Sequence, residues 1–96
     1  MLYQQAVDNE AKRLLSYSSD EITSFPDYGS FLAYIAGHEQ KGGFWHHKFS
    51  SGTQHIYFQL NRKLVFGFYK NYLAGIKMNQ DGSVALLTDE EVADYD

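Results

Sequence analysis

The stretch Gln54-His55-Ile56-Tyr57-Phe58-Gln59-Leu60 alternates residue by residue. Ile56, Phe58 and Leu60 fall on one side of an extended chain, and His55, Tyr57 and Gln59 on the other. Upstream, Phe44 to Phe49 reads as a second strand, joined to the first by Ser50-Ser51-Gly52-Thr53, a connector rich in turn residues that suits a hairpin. With those four residues as the loop, 49 lies opposite 54, 48 opposite 55 and 46 opposite 57. That register puts His46, Lys48, His55 and Tyr57 on one exposed face and leaves His47 partly buried opposite Ile56.

Downstream, a loop at Asn61-Arg62-Lys63 brings Leu64, Phe66 and Phe68 onto the face of Ile56, Phe58 and Leu60. Lys70-Asn71 turns the chain again. Ala74 to Met78 and Ser83 to Leu87 flank Asn79-Gln80-Asp81-Gly82, a strong turn signal. Four or five antiparallel strands in meander order result. Thr88 and Glu91 make a capping box, so the chain ends in a short acidic helical turn carrying Val92 and Tyr95.

On the N-terminal side of Gly42-Gly43 the period is helical. Tyr3, Val7, Leu14 and Leu15 recur with charges between them from Leu2 to about Tyr17, an amphipathic helix closed by the polar run Ser16 to Asp20. Ser24 and Asp27 form a capping-box-like pair with Pro26 in the first turn. A second helix is therefore predicted with the stripe Tyr28, Phe31, Leu32 and Ile35, ending at Gly37 and leaving His38 as a favourable cation at its C-terminus. The expected architecture is α+β: one domain over 1–96, with two N-terminal helices on one face of the meander sheet and the other face or an edge free.

Composition supports an ordered domain. The chain is 44% hydrophobic and 17% aromatic, above what disordered chains carry, and a chain this long removes roughly 60–65% of its unfolded surface from water. The absence of cysteine excludes disulfides, thiolate catalysis and cysteine-bound zinc, and with no signal-like N-terminus the expected location is cytoplasmic. No apolar run reaches the length of a membrane span, so no membrane partner is expected.

Charge is segregated. Residues 1–43 carry −3, residues 44–80 carry +5 with no acid, and residues 81–96 carry −6. The basic, aromatic middle offers one chemistry: two histidines near a lysine supply the base, acid and phosphate electrophile of metal-free RNA cleavage, which would fall to His46, Lys48, His55 and Tyr57. Against nucleic acid stand the net charge of −4 and the lack of an RNA-recognition signature. No metal site is expected, since His46 and His47 point to opposite faces and no carboxylate lies in 44–80. No cofactor motif is present: Gly42-Gly43 and Gly67 open no phosphate loop, and Asp81-Gly82 lacks the rest of a calcium loop.

The acidic residues offer another. Asp20, Glu21 and Asp27 with Asp89, Glu90, Glu91, Asp94 and Tyr95 suit the covering of a basic protein, charge steering the encounter and tyrosine holding it. In size, acidity and lack of a catalytic motif the chain is similar to bacterial immunity proteins and antitoxins that block nuclease toxins, and to small phage-encoded inhibitors. That likeness rests on composition and length and transfers no residue. The expectation is a non-enzymatic, protein-binding inhibitor whose partner is a basic toxin nuclease; the alternatives are an RNA-binding or RNA-cleaving domain, and a homodimer pairing basic sheet with acidic end.

Overall fold

The computed structural model describes residues 2–96. Helix α1 (Tyr3–Arg13) runs into a 3₁₀ turn at Leu14–Ser16, and its apolar stripe Ala6, Val7, Ala11 and Leu14 is buried across β3 and β4. The strands are β1 (Tyr28–Ile35), β2 (His38–Lys48), β3 (Gln54–Lys63), β4 (Tyr69–Met78) and β5 (Val84–Leu86), antiparallel neighbours in the order 1-2-3-4-5. The class is thus α+β on one antiparallel meander. Ile56, Phe58 and Leu60 meet α1 as the core, with Phe44, Ile76 and Met78 beside them. Among the described residues no helix is long and apolar enough to cross a membrane.

The expected second helix is corrected. A short α2 exists, but it is Ser19–Thr23, with Ser18 and Glu21 forming the capping box. Residues 28–35 are strand. The spacing of Tyr28, Phe31, Leu32 and Ile35 fits a helix, yet the sides actually alternate: Phe31, Ala33 and Ile35 turn inward, while Tyr28, Leu32 and Tyr34 are exposed. The chain reverses at Ala36 and Gly37, both in the left-handed region with φ of 51° and 78°, the two-residue turn that matches strand twist. His38 therefore opens β2 instead of closing a helix. Gly42 and Gly43, expected as a boundary, lie within β2. A Cβ on Gly42 would stand 2.4 Å from the Phe31 ring, and one on Gly43 2.9 Å from the Trp45 ring, so the two glycines make room for aromatic neighbours.

The register is also corrected, by one residue. Phe49 N–H donates to Thr53 carbonyl and Gly52, at φ 93°, donates to Phe49 carbonyl, so three residues form the loop where four were expected. His46 then opposes Ile56, His47 opposes His55, and Trp45 opposes Tyr57. The same loop recurs at Asn79 to Ser83, with Gly82 at φ 88°. Asn61, Arg62 and Lys63 are strand rather than loop, paired with Asn71, Lys70 and Tyr69. Because β3 takes residues 69–78 as its partner, Leu64, Phe66 and Phe68 do not join the core; they sit in an exposed tip around a 3₁₀ turn at Val65–Gly67. The C-terminal turn is present as α3 (Asp89–Ala93), capped by Thr88 and Glu91 through both reciprocal bonds.

Candidate docking face

The sheet has an inner face under α1 and an outer face that α3 only partly covers. On the outer face the register aligns Tyr28, Trp45 and Tyr57 across β1, β2 and β3, with His47 and His55 as the next pair. Trp45 leans over Gly43 and stacks on Tyr57 at 5.3 Å. Tyr95, just past α3, lies flat on Tyr57 at 4.0 Å and on His47 at 5.5 Å, and its hydroxyl is 2.7 Å from His55 Nδ1. Phe49 meets the His55 ring edge-on at 4.9 Å. Glu91 accepts from Lys77 Nζ at 3.0 and 3.2 Å, which pins α3 to β4.

Burial sets the protonation of this cluster. Desolvation pushes the hydroxyls of Tyr57 and Tyr95 above the usual tyrosine range, so both are neutral hydrogen-bonding groups near neutrality. Desolvation, aided by Lys77 and His47 and opposed by Glu91 and Asp94, holds His55 below the ordinary histidine value, favouring the neutral ring. Glu91 lies below the usual carboxylate range, first because it accepts the Thr88 backbone N–H and then because of Lys77.

The four residues expected to share a face do not. His55 and Tyr57 are on the outer face, but His46 is buried inward, with Nδ1–H donating to the Phe25 carbonyl at 3.0 Å and Nε2 2.8 Å from Gln54 Oε1. Lys48 takes the His46 side and opposes Gln54. The neighbours that His55 does have are His47, Phe49, Tyr95 and Lys77.

The acidic set is divided as well. Asp89, Glu90 and Asp94 are exposed along α3, and Tyr95 is stacked into the aromatic cluster. Asp20 and Glu21 belong to α2, whose Ile22 joins the core under the inner face, so they serve a different side. Asp27 immediately precedes β1, and its carbonyl accepts the His46 N–H. Sequence reasoning missed Tyr28 because the helical spacing of residues 28–35 conceals a strand, and missed Trp45 and His47 because the one-residue shift reverses every side chain of β2. Among the described residues, no group of three His, Cys, Asp or Glu is placed to hold a metal ion.

The outer face is therefore an open aromatic surface on an antiparallel sheet, bordered by an acidic helix. Tyr28, Leu32, Tyr34, Trp45 and Phe49 are all exposed on it, Tyr28 at 77%. The chain matches no family model, no curated protein and no solved structure.

Proposed function

We propose that this domain is a protein-binding inhibitor, of the bacterial immunity or antitoxin kind, that acts in the cytoplasm by occluding the active site of a basic partner, most concretely a toxin nuclease. The observation that carries the proposal is the outer face: Tyr28, Trp45 and Phe49 exposed beside stacked Tyr57 and Tyr95, with Asp89, Glu90 and Asp94 along one border. Trp and Tyr supply large contact area at small entropic loss and dominate interface energetics. An enzyme that holds phosphates presents cations around its cleft, and a carboxylate border complements them.

The test is a titration of the purified chain into the basic protein that co-elutes with it at moderate salt, reading complex formation and loss of that protein's nuclease activity. Trp45→Ala should weaken binding by about 2 kcal/mol or more, roughly 30-fold. Triple reversal of Asp89, Glu90 and Asp94 to Lys should weaken it further, while Asp20→Lys should not. Unchanged affinity in Trp45→Ala would remove the outer face from the interface. Ribonuclease activity of the chain alone, abolished by His55→Ala, would replace the inhibitor reading with RNA cleavage.

A further inference from the structure

Strand β4 is ten residues long, but β5 pairs only with its last three, Ile76 to Met78. The direction of the remaining backbone groups follows from the bonds present. Leu64 N–H donates to Phe68 carbonyl, so even-numbered residues of this strand face β3. Leu73 carbonyl accepts from the Gln4 side chain and Gly75 carbonyl from Leu87 N–H, so odd-numbered residues face away. Among the described residues, the far edge from Tyr69 to Leu73 has no strand partner, although the Gln4 side chain reaches its Leu73 carbonyl, and such an edge is a template for another strand.

Two further features adjoin it. The first is a groove of about 530 Å³ between α1, α3 and this edge, floored by apolar groups including Leu73 and Val92 and rimmed by Asp8, Asp89 and Asp96, with Lys12 as its cation. The second is the arm formed by residues 61–71, every one exposed, which contributes to a molecule 44 Å long and 24 by 20 Å across. Its tip presents Val65, Phe66 and Phe68, Phe66 at 93% exposure, and the arm holds Arg62, Lys63 and Lys70 with no acid.

The base of this arm is tied to the body, Arg62 lying over the Tyr3 ring at 5.9 Å and Lys70 over the Tyr72 ring at 5.2 Å, whereas its tip is exposed. Arg62 and Lys70 are register partners, and like charges directly opposite are destabilising. Phe66 has φ 60°, a strained conformation for a bulky side chain. An apolar tip with a cationic stem asks for an apolar floor with an anionic rim, and the groove beside β4 is one.

We infer that a second copy of this chain covers the β4 edge, the two copies pairing β4 against β4 about a two-fold axis beside Asn71 and exchanging arms. Centred there, antiparallel pairing sets Asn71 opposite its own equivalent and Tyr69 opposite the second copy's Leu73. Both positions are odd, so their N–H and C=O groups point toward the partner, the Leu73 carbonyl accepting there with the lone pair that the Gln4 side chain leaves free. Because Asn71 both ends the arm and lines the groove, the same operation carries each tip over the groove of the other copy. The cations of the stem then approach Asp8, Asp89 and Asp96. The interface is isologous and closes at two. It leaves Tyr28, Trp45 and Phe49 free, shares Asp89 with the acidic border of the outer face, and does not depend on the inhibitor reading.

Sedimentation velocity of the full chain across about 5 to 200 μM tests the pairing, with a dimer expected in the tens of micromolar and weakened as salt screens the charges. Asn71→Pro removes an N–H that points away from β3, a place where an edge strand tolerates proline. Phe66→Ser truncates the tip. Each should raise the dissociation constant at least about tenfold with an unchanged circular dichroism spectrum. The chain has no cysteine, so Asn71→Cys adds a single thiol. Paired residues of this kind lie about 5.5 Å apart between Cα atoms, within disulfide reach; Asn71→Cys should oxidise to a covalent dimer and Gln80→Cys, in a distant turn, should not. A monomer throughout this range, a dimer indifferent to Asn71→Pro and Phe66→Ser, or equal oxidation of both cysteine variants would overturn the inference.

Discussion

His46 shows how one side chain holds the register of a sheet. Its ring bridges Phe25 and Gln54, Gln54 donates onward to Thr23, and Phe25 packs edge-on against Phe44 at 5.0 Å. The loop entering β1, the end of α2 and the β2–β3 hairpin are thereby joined around one imidazole. His46→Ala opens a cavity and leaves the Phe25 carbonyl without its donor, so a loss of about 2–4 kcal/mol in urea unfolding is expected. His46→Phe refills the volume but not the bond and should lose about 1–3 kcal/mol. His47→Ala, on the outer face, should lose less than either. An equal loss for the two histidines would mean that the bridge contributes little. Nothing in the pair His46-His47 distinguishes the inner ring from the outer one, because both are the same residue type on a strand. The decision belongs to the loop, where a left-handed Gly52 makes three residues sufficient, and the alternation of β3 is silent on that count.

At the scale of elements, α3 is too short to be stable by propensity and is held from outside. Its cap was legible as Thr88 and Glu91; its seat was not, since Tyr95 stacks on strands some forty residues away. Thr88→Ala should cost about 1 kcal/mol, seen as faster amide exchange over 89–93. Proton binding should loosen the same contact. His55 has a folded-state value below its ordinary 6.5, so the unfolded or released form binds the proton more tightly. The stabilisation is present above pH 6.5 and is lost as pH falls below it. Glu91, depressed from 4.5, adds a second loss below that pH. Monitoring the Tyr95 ring by NMR from pH 7.5 to 4 should show release in this order, with the first step missing in His55→Gln. A Tyr95 environment flat across that range would count against the coupling. Strand β1 marks the other limit of legibility. Tyr28, Phe31, Leu32 and Ile35 satisfy a helical period, and only the tertiary demand of β2 for an edge partner, met through the Ala36-Gly37 turn, selects the extended form.

For the whole molecule, the segregation of charge read from sequence is preserved in space only in part, and that separates two contributions to partner binding. The +5 tract of residues 44–80 spans the sheet and the arm, whereas Asp89, Glu90 and Asp94 border the outer face and Glu91 is already committed to Lys77. Long-range attraction acts before contact and is screened over about 10 Å at 0.1 M salt; aromatic packing acts after contact and is not. Reversal of Asp89, Glu90 and Asp94 should therefore slow association of the proposed basic partner by about tenfold at low salt, with the difference shrinking as salt rises. Trp45→Ala should leave the association rate within a few-fold and accelerate dissociation instead. Stopped-flow association and surface-based dissociation rates, measured for both variants at low and high salt, separate the two effects. If Trp45→Ala slowed association while the charge reversals changed only dissociation, the acids would be contact residues and the aromatic face a secondary surface, with the steering and holding roles exchanged between them.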